Sequence, residues 1–300
     1  WYPSKILPNN GDFIQRHAEA VSLNHKVKVI HIITDRAAKK HIDYSSEQIN
    51  GIETHIAYLK CYNNPIKKIV VFIKAFKFLL KKCGNIDIVH LNEIFPFGVF
   101  SLYLKWFRKK PYIISEHFTG YHYPKSKNIK FLQKLISSII TKKASFICPV
   151  SNDLKKSMEK LGLQGNYCRI PNVVDTKVFL PSNTTPSIFT ITHISSMVND
   201  HKNIEGIIRF IKKLESKIDD FKFKFIGKDA ELYIPFAKKL GVNLEKVAFI
   251  DHLPHKDIAT NLQESNLFLL FSNYENLPCV ILEAFSCGTP VVSTNVGGIN

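Results

Sequence analysis

Short runs of β-branched and aromatic residues recur along this chain, each closed by turn residues and followed by a longer stretch of helical period. KVKVIHIIT (26–34), IDIVHLN (86–92), PYIISEH (111–117) and ASFICPVS (144–151) have the composition of buried strands. After the polar, proline-containing stretch PSNTTPS (181–187) the alternation restarts. The strand runs are now FTITHIS (189–195), FKFKFIG (221–227), KVAFID (246–251), LFLLFS (267–272) and TPVVSTN (289–295). Between them lie the helical stretches NIEGIIRFIKKLESK, AELYIPFAKKLG and HKDIATNLQES. Alternation of this kind builds parallel sheets covered by helices, so the expected class is α/β. Two successive doubly wound domains are expected, 1–183 and 184–300, and 300 residues that are 45% hydrophobic can fill two ordinary cores.

Turn and cap residues place the candidate chemistry. WYPSKILPNNGDF is turn chemistry ahead of a helix from Phe13 to about Ser22, and Ser151 and Gly162 bracket the helix DLKKSMEKLG. Pro278 fits a first helical turn and Gly288 a helix end, which predicts a helix over 278–286. Glu275 then falls in the loop after LFLLFS, at the carboxyl edge of the sheet, and Glu283 falls inside the helix. Ligands of open α/β sheets bind at that edge, where helix N-termini offer N–H groups to phosphates. Glu283 is placed to reach a sugar or ribose hydroxyl. Two glutamates at this spacing read alone as solvated surface residues; the surrounding proline, glycine, VVST and Gly-Gly make the pattern specific.

The charge is one-sided. Residues 1–183 hold 29 Lys+Arg against 12 Asp+Glu, residues 184–300 hold 12 against 13, and residues 66–143 alone hold 16 against 3. That surplus fits an anionic partner or a solvated lysine-rich surface. IKKIVVFIKAFKFLLKKC (66–83), wound as a helix, gathers Lys67, Lys68, Lys74, Lys77, Lys81 and Lys82 on one half and Ile, Val, Phe and Leu on the other. Such a helix suits the surface of an anionic membrane, or packs on a sheet with its lysines in water. No recognition-helix, zinc-finger or aromatic RNA-binding signature accompanies the charge, so nucleic acid is not an expected partner.

The six cysteines show no C-x-x-C pair and no metal-like spacing with histidine, and read as buried thiols of a reducing compartment. No apolar run reaches transmembrane length. The chain opens on Trp-Tyr-Pro and stops at Gly-Gly-Ile-Asn just after an expected strand. The expectation is a fragment without the first strand of its N-terminal domain and without the end of its second.

These motifs together resemble the retaining glycosyltransferases of family 4, whose GT-B fold sets two Rossmann-like domains face to face across a cleft. The resemblance runs through WYPS…NNGDFIQRHAEA, ISEHFTGY, VSNDLKKSMEKLG…IPNVVDTKVF, HISSMVNDHKN and the E-x7-E block from Glu275 to Glu283. It implies that Glu283 binds the ribose of a nucleotide-sugar donor and that Glu275 contacts the transferred sugar. The backbone N–H groups of Asn276, Leu277 and Cys279 are the implied donors to the diphosphate. Lys202 matches the pyrophosphate-binding lysine, His117 the histidine that contacts the donor sugar, and Gly11 the loop glycine that lets the backbone approach it. Relatives often carry an arginine six positions before the lysine, where this chain has Ser196. In FIGKDAE the glycine-rich loop of relatives is reduced to Gly227.

The implied reaction transfers a glycosyl group from a UDP- or GDP-sugar to a hydroxyl of a glycan or lipid-linked acceptor, with retention, in cell-surface polysaccharide synthesis. No Asp-x-Asp motif is present, so no metal and no cofactor are expected, with cationic and backbone groups taking the metal's part. The expected location is cytoplasmic, peripheral on the inner face of the membrane. An epimerase or phosphorylase on a similar scaffold, or a degenerate sugar-nucleotide-binding module, are the competing readings.

Overall fold

The computed structural model describes residues 1–8, 10–183 and 186–299. Asn9, Asn300 and the centre of the expected linker, Thr184 and Thr185, lie outside the described residues. In chain order the helices are α1 Asp12–Ser22, α2 Pro65–Cys83, α3 Gly98–Arg108, α4 Phe131–Lys143, α5 Asn152–Lys160, α6 Asn199–Lys202, α7 Ile204–Leu214, α8 Ile234–Lys239, α9 His255–Gln263 and α10 Cys279–Ser286. The strands are β1 Lys28–Asp35, β2 Ile42–Ile49, β3 Ile52–Lys60, β4 Val89–Asn92, β5 Tyr112–Glu116, β6 Phe146–Pro149, β7 Phe189–Ile194, β8 Phe221–Ile226, β9 Val247–Ile250, β10 Leu267–Leu270 and β11 Val291–Ser293.

The chain forms two compact units. One comprises Trp1–Glu116, Lys130–Cys148 and Gly162–Cys168; the other His117–Ile129, Pro149–Leu161 and Arg169–Asn300. A single cut at 183 therefore differs from the observed division, because three earlier segments pack with the second unit.

In the second unit the strand order is β11-β10-β7-β8-β9, with parallel pairs throughout. Phe221, Phe223 and Phe225 of β8 are buried, and α7 places Ile204, Ile207, Ile208 and Ile211 on one fully buried stripe against them. Each such side chain contributes about 2 kcal/mol of burial, while Arg209, Lys212 and Lys213 on the other face stay outside the core. The chain runs outward from β7 to β8 and β9, then crosses back to β10 and β11 on the other side of β7. The switch point lies between β7 and β10, the position where such sheets open a crevice at their carboxyl ends.

The first unit departs from a purely parallel sheet. β1 pairs with β3 in parallel, but β2 pairs with β3 antiparallel through a hairpin at Asn50-Gly51, both with positive φ (49° and 79°). That is the turn an Asn-Gly pair favours between two strands. A separate sheet has the order β4-β5-β6. Helix α2 covers β1 and β3 with Val71, Ala75 and Leu79. It also turns Phe76 and Leu80 toward Leu104 of α3.

The division of α2 into a lysine half and an apolar half is corrected by the structure. None of residues 65–70 is buried, and Ile66, Ile69, Val70 and Ile73 are exposed beside the lysines. Periodicity assigns residues to a face, but only a covering neighbour buries it. The thiols differ as well: all six are free, with Cys83, Cys148 and Cys287 buried but Cys61 and Cys168 exposed. Among the described residues no helix is long and apolar enough to cross a membrane.

Candidate functional site

The loops that leave the switch point carry the candidate chemistry of the second unit. After β7, the loop is anchored by the buried His193, whose Nδ1 donates to the Leu269 carbonyl at 2.8 Å. Burial holds this ring neutral, with its pKa lowered to about 4. Its Nε2 therefore accepts from Ser195 Oγ at 2.8 Å, and the same hydroxyl accepts the Met197 N–H at 3.1 Å. From that loop α6 delivers His201 and Lys202, and Asn203 ends it in the left-handed region (φ 50°). The Asn203 side chain then accepts the Gly206 N–H and starts α7.

Glu275 meets this pair from the β10 side. Its Oε1 accepts from the Lys202 ammonium and from Ser272 Oγ at 2.7 Å, with His201 Nε2 at 3.4 Å. The His201 ring stacks on Tyr274, centroids 4.3 Å apart and 4° from parallel. Glu275 and Lys202 are both buried. Burial pushes the Glu275 carboxyl up, yet His201 and Lys202 outweigh it and hold the group at about 2. It is thus a carboxylate at neutral pH, able to accept hydrogen bonds and unable to act as a general acid.

Backbone packing holds the glutamate loop. A Cβ on Gly297 would lie 1.8 Å from the Glu275 carbonyl oxygen, and one on Gly298 would lie 1.7 Å from that of Asn276. The Asn276 side-chain amide donates to the His117 carbonyl and its Oδ1 accepts from His122 Nε2, each at 2.5 Å. His122 Nδ1 lies 2.9 Å from Ser157 Oγ and 3.3 Å from Asp153. Asn172 Nδ2 donates to the Leu277 carbonyl at 2.7 Å. Residues from the middle of the chain thereby fix residues 275–277.

The expected helix is one residue shorter than its sequence signal: Pro278 precedes it as the cap (ψ 122°) and Cys279 is its first residue. Glu283 is buried on α10. Gly227 is required by packing, since a Cβ there would lie 2.0 Å from the Ser195 carbonyl oxygen. Ser196 is exposed in the loop after β7. Lys202, Glu275, Asn276 and the His117 carbonyl converge. Gly11 belongs to the first unit, where φ 75° and the closeness of Trp1 and Tyr2 both demand glycine. His201, Ser272, His122, Asn172 and the Gly297-Gly298 pair complete the geometry; the only sequence signals for them were the HK dipeptide and the terminal glycines.

A second carboxyl cluster lies at the carboxyl edge of the first unit. Glu93 follows β4 with φ 66°, and its Oε1 has no hydrogen-bond partner among the described residues. Glu116, at the end of β5, accepts the Ile94 N–H at 3.0 Å. Burial first, then the charge of Glu116, raises the Glu93 carboxyl to about 8. A raised carboxyl contributes stability that is complete below the ordinary carboxylate range and is lost as pH rises toward 8. Glu93→Gln keeps the neutral shape. Between about pH 5 and pH 9 the melting temperature of the wild type is expected to fall roughly 5 °C further than that of the variant. Parallel melting curves for the two proteins would remove the buried-proton account.

A family model described as Glycosyltransferase Family 4 matches residues 16–178. The chain belongs to glycosyltransferase family 4. A second model, Glycosyl transferases group 1, matches residues 182–300. Family 4 is a family of transferase enzymes with the GT-B fold, and the solved structures agree with that fold. Sucrose-phosphate synthase from Thermosynechococcus elongatus superposes with a TM-score of 0.71 at 17% identity, over 95% of this chain and 75% of that one. Staphylococcus aureus TarM, in complex with fondaparinux, alpha-GlcNAc-glycerol and UDP, superposes at 0.58 and 16%, over 74% and 44%. Among curated proteins, a phosphatidylinositol N-acetylglucosaminyltransferase component of Arabidopsis thaliana is 31% identical over 158 residues, 51% of this chain and 35% of the relative. The matched stretch thus spans about a third of that relative's length.

Proposed function

We propose that this family 4 member is a retaining glycosyltransferase that moves a sugar from a UDP- or GDP-sugar to a hydroxyl of a glycan or lipid-linked acceptor. The setting is cell-surface polysaccharide synthesis at the inner face of the membrane. The observation that carries the reading is the buried Lys202–Glu275 pair at the switch point, beside the N-terminus of α10. In transfer, the bond from the anomeric carbon to the diphosphate oxygen breaks and the acceptor oxygen bonds to that carbon on the same face. The acceptor's proton passes to the departing diphosphate. Lys202 offsets the charge that develops on this leaving group, and the amides of Asn276, Leu277 and Cys279 supply further donors. Glu275, ionised, accepts from hydroxyls of the transferred sugar; Glu283 holds the ribose, and His117 contacts the sugar. No metal or cofactor is required in this reading.

Two relatives support the substrate class. TarM was solved with UDP, and the name of the Arabidopsis relative joins N-acetylglucosaminyl transfer to phosphatidylinositol. The test is a screen of UDP- and GDP-sugars with the full chain, followed by anomeric analysis of the product. The expected result is one donor whose anomeric configuration survives in the product. Inversion, or an epimerised nucleotide sugar released without acceptor, would overturn it. Ser196, exposed and uncharged where relatives often carry a cation, favours one rival, a binding module without turnover. Thermal stabilisation by nucleotide sugars with no transfer to any acceptor would select that rival.

A further inference from the structure

Helices α2 and α3 of the first unit lie side by side. Phe76 stacks on Phe100 with centroids 4.1 Å apart, and Phe72 on Phe97 at 5.3 Å. Their C-terminal halves flank an open groove of about 630 Å³, bordered by Lys77, Leu80 and Lys81 of α2, by Gly84 and Asn85 just after it, and by Tyr103 and Arg108 of α3. The C-terminal ends of these helices lead into β4 and β5. The groove therefore lies at the amino-terminal edge of that sheet, opposite the edge that carries Glu93 and Glu116. No carboxylate pairs with Lys77, Lys81 or Arg108 among the described residues. Asp87 and Glu93 are the only acids between residues 66 and 110, and neither lines the groove.

Three uncompensated cations around one groove bind an anion, and the surroundings say which kind. Ile66, Val70, Ile73, Lys77 and Lys81 follow one another along a single line of α2, at spacings of three and four residues. The upper part of that line is apolar and open to water, with Ile66 72% exposed. On α3, Phe107 next to Arg108 is 74% exposed and leans on Tyr103 at 5.2 Å; Trp106 is also exposed. Exposed apolar side chains on the two helices that carry a basic groove match a bilayer surface, where the charged headgroup meets the start of the acyl region. A free phosphate would satisfy the cations and leave these side chains in water, and a nucleic-acid backbone would do the same.

We propose that the groove between α2 and α3 binds the phosphate of an anionic phospholipid headgroup, with Ile73 of α2 and Phe107 of α3, exposed neighbours of Lys77 and Arg108, entering the interface. This deepens the membrane-surface part of the function proposed above and rests on it. It assigns the basic surplus of the first unit to a defined groove between α2 and α3. Lys77, Lys81 and Arg108 donate charge-assisted hydrogen bonds to the phosphate oxygens, which diffuse attraction between a lysine-rich face and a charged surface does not require.

The test measures binding of the full chain to vesicles of phosphatidylcholine alone and of phosphatidylcholine mixed with phosphatidylglycerol. Lys81→Gln/Arg108→Gln is compared with Lys67→Gln/Lys74→Gln, which removes the same charge from α2 outside the groove. All four positions are exposed, and melting curves confirm that each variant is folded. The expected result is binding to the mixed vesicles only, weakened about tenfold more by the groove pair than by the control pair. Equal losses from the two pairs would overturn the groove site and leave the membrane reading standing. A wild type that ignores both vesicles would overturn the two together. Isothermal titration with inorganic phosphate and with single-stranded RNA covers the other sources. If the groove pair abolishes binding of either ligand yet leaves vesicle affinity at the control level, the lipid assignment fails.

Discussion

Lys202→Met is expected to lower kcat for glycosyl transfer by about 10³-fold and to destabilise the second unit by about 3 kcal/mol. In the proposed mechanism, the activity loss follows from removing the cation that meets the departing diphosphate. The stability loss follows from the partner left behind: Glu275 is buried, and without Lys202 only Ser272 and His201 face its charge among the described residues. The pH dependence separates the two effects. A depressed carboxyl contributes stability that is complete above the ordinary carboxylate range and is lost as pH falls toward its folded value of about 2. The deficit of the variant is therefore greatest at neutral pH and narrows in acid. Lys202→Met/Glu275→Gln is expected to recover most of the stability and none of the activity. Thermal melts and transfer kinetics on the single and double variants check both parts. A double variant no more stable than Lys202→Met would show that the pair is not coupled as the geometry requires.

Gly298→Ala is expected to cost about 3 kcal/mol or more and to lower kcat/KM at least 10²-fold. The added methyl would lie 1.7 Å from the Asn276 carbonyl oxygen and 2.4 Å from Ser151 Cβ. One obstacle is backbone, and Ser151 is itself fixed as the cap of α5, where its hydroxyl accepts the Leu154 N–H at 3.1 Å. Relief has to come from the loop carrying Glu275 and Asn276, so the sugar and diphosphate contacts proposed for it move with it. Gly297→Ala meets the Glu275 carbonyl oxygen at 1.8 Å and adds a φ of 59°, and is expected to behave alike. Melting temperature and kcat/KM are the measurements. Wild-type values for Gly298→Ala would mean that this turn does not hold the glutamate loop.

Much of this was legible in sequence because it is written locally. Strand runs, helical period, the proline before α10 and the cap at Ser151 each depend on residues within a few positions of one another. The E-x7-E block and Lys202 stood out through the family resemblance; Glu275 falls on the loop after β10, Glu283 on α10 and Lys202 on α6 after β7. The hairpin β2–β3 was equally local, announced by Asn50-Gly51 between Ile49 and Ile52, and is missed by a reading that looks only for strand–helix alternation. The face of α2 was a different failure. Its period was right, but no local rule says that residues 65–70 run past the surface that covers the rest of the helix.

The sequence by itself determined the class of fold, the order of its elements and which short segments could bear chemistry, since backbone propensity and period act over one or two turns. Only the tertiary structure decided who meets whom. His122 reaches Asn276 across 154 positions, Asn172 reaches Leu277 across 105, and Lys202 neutralises Glu275 across 73. Closing a long loop costs little more than closing a short one. Partners at such distances are therefore selected by which buried polar groups can satisfy one another once the sheets are packed, and that choice leaves no local trace in the chain.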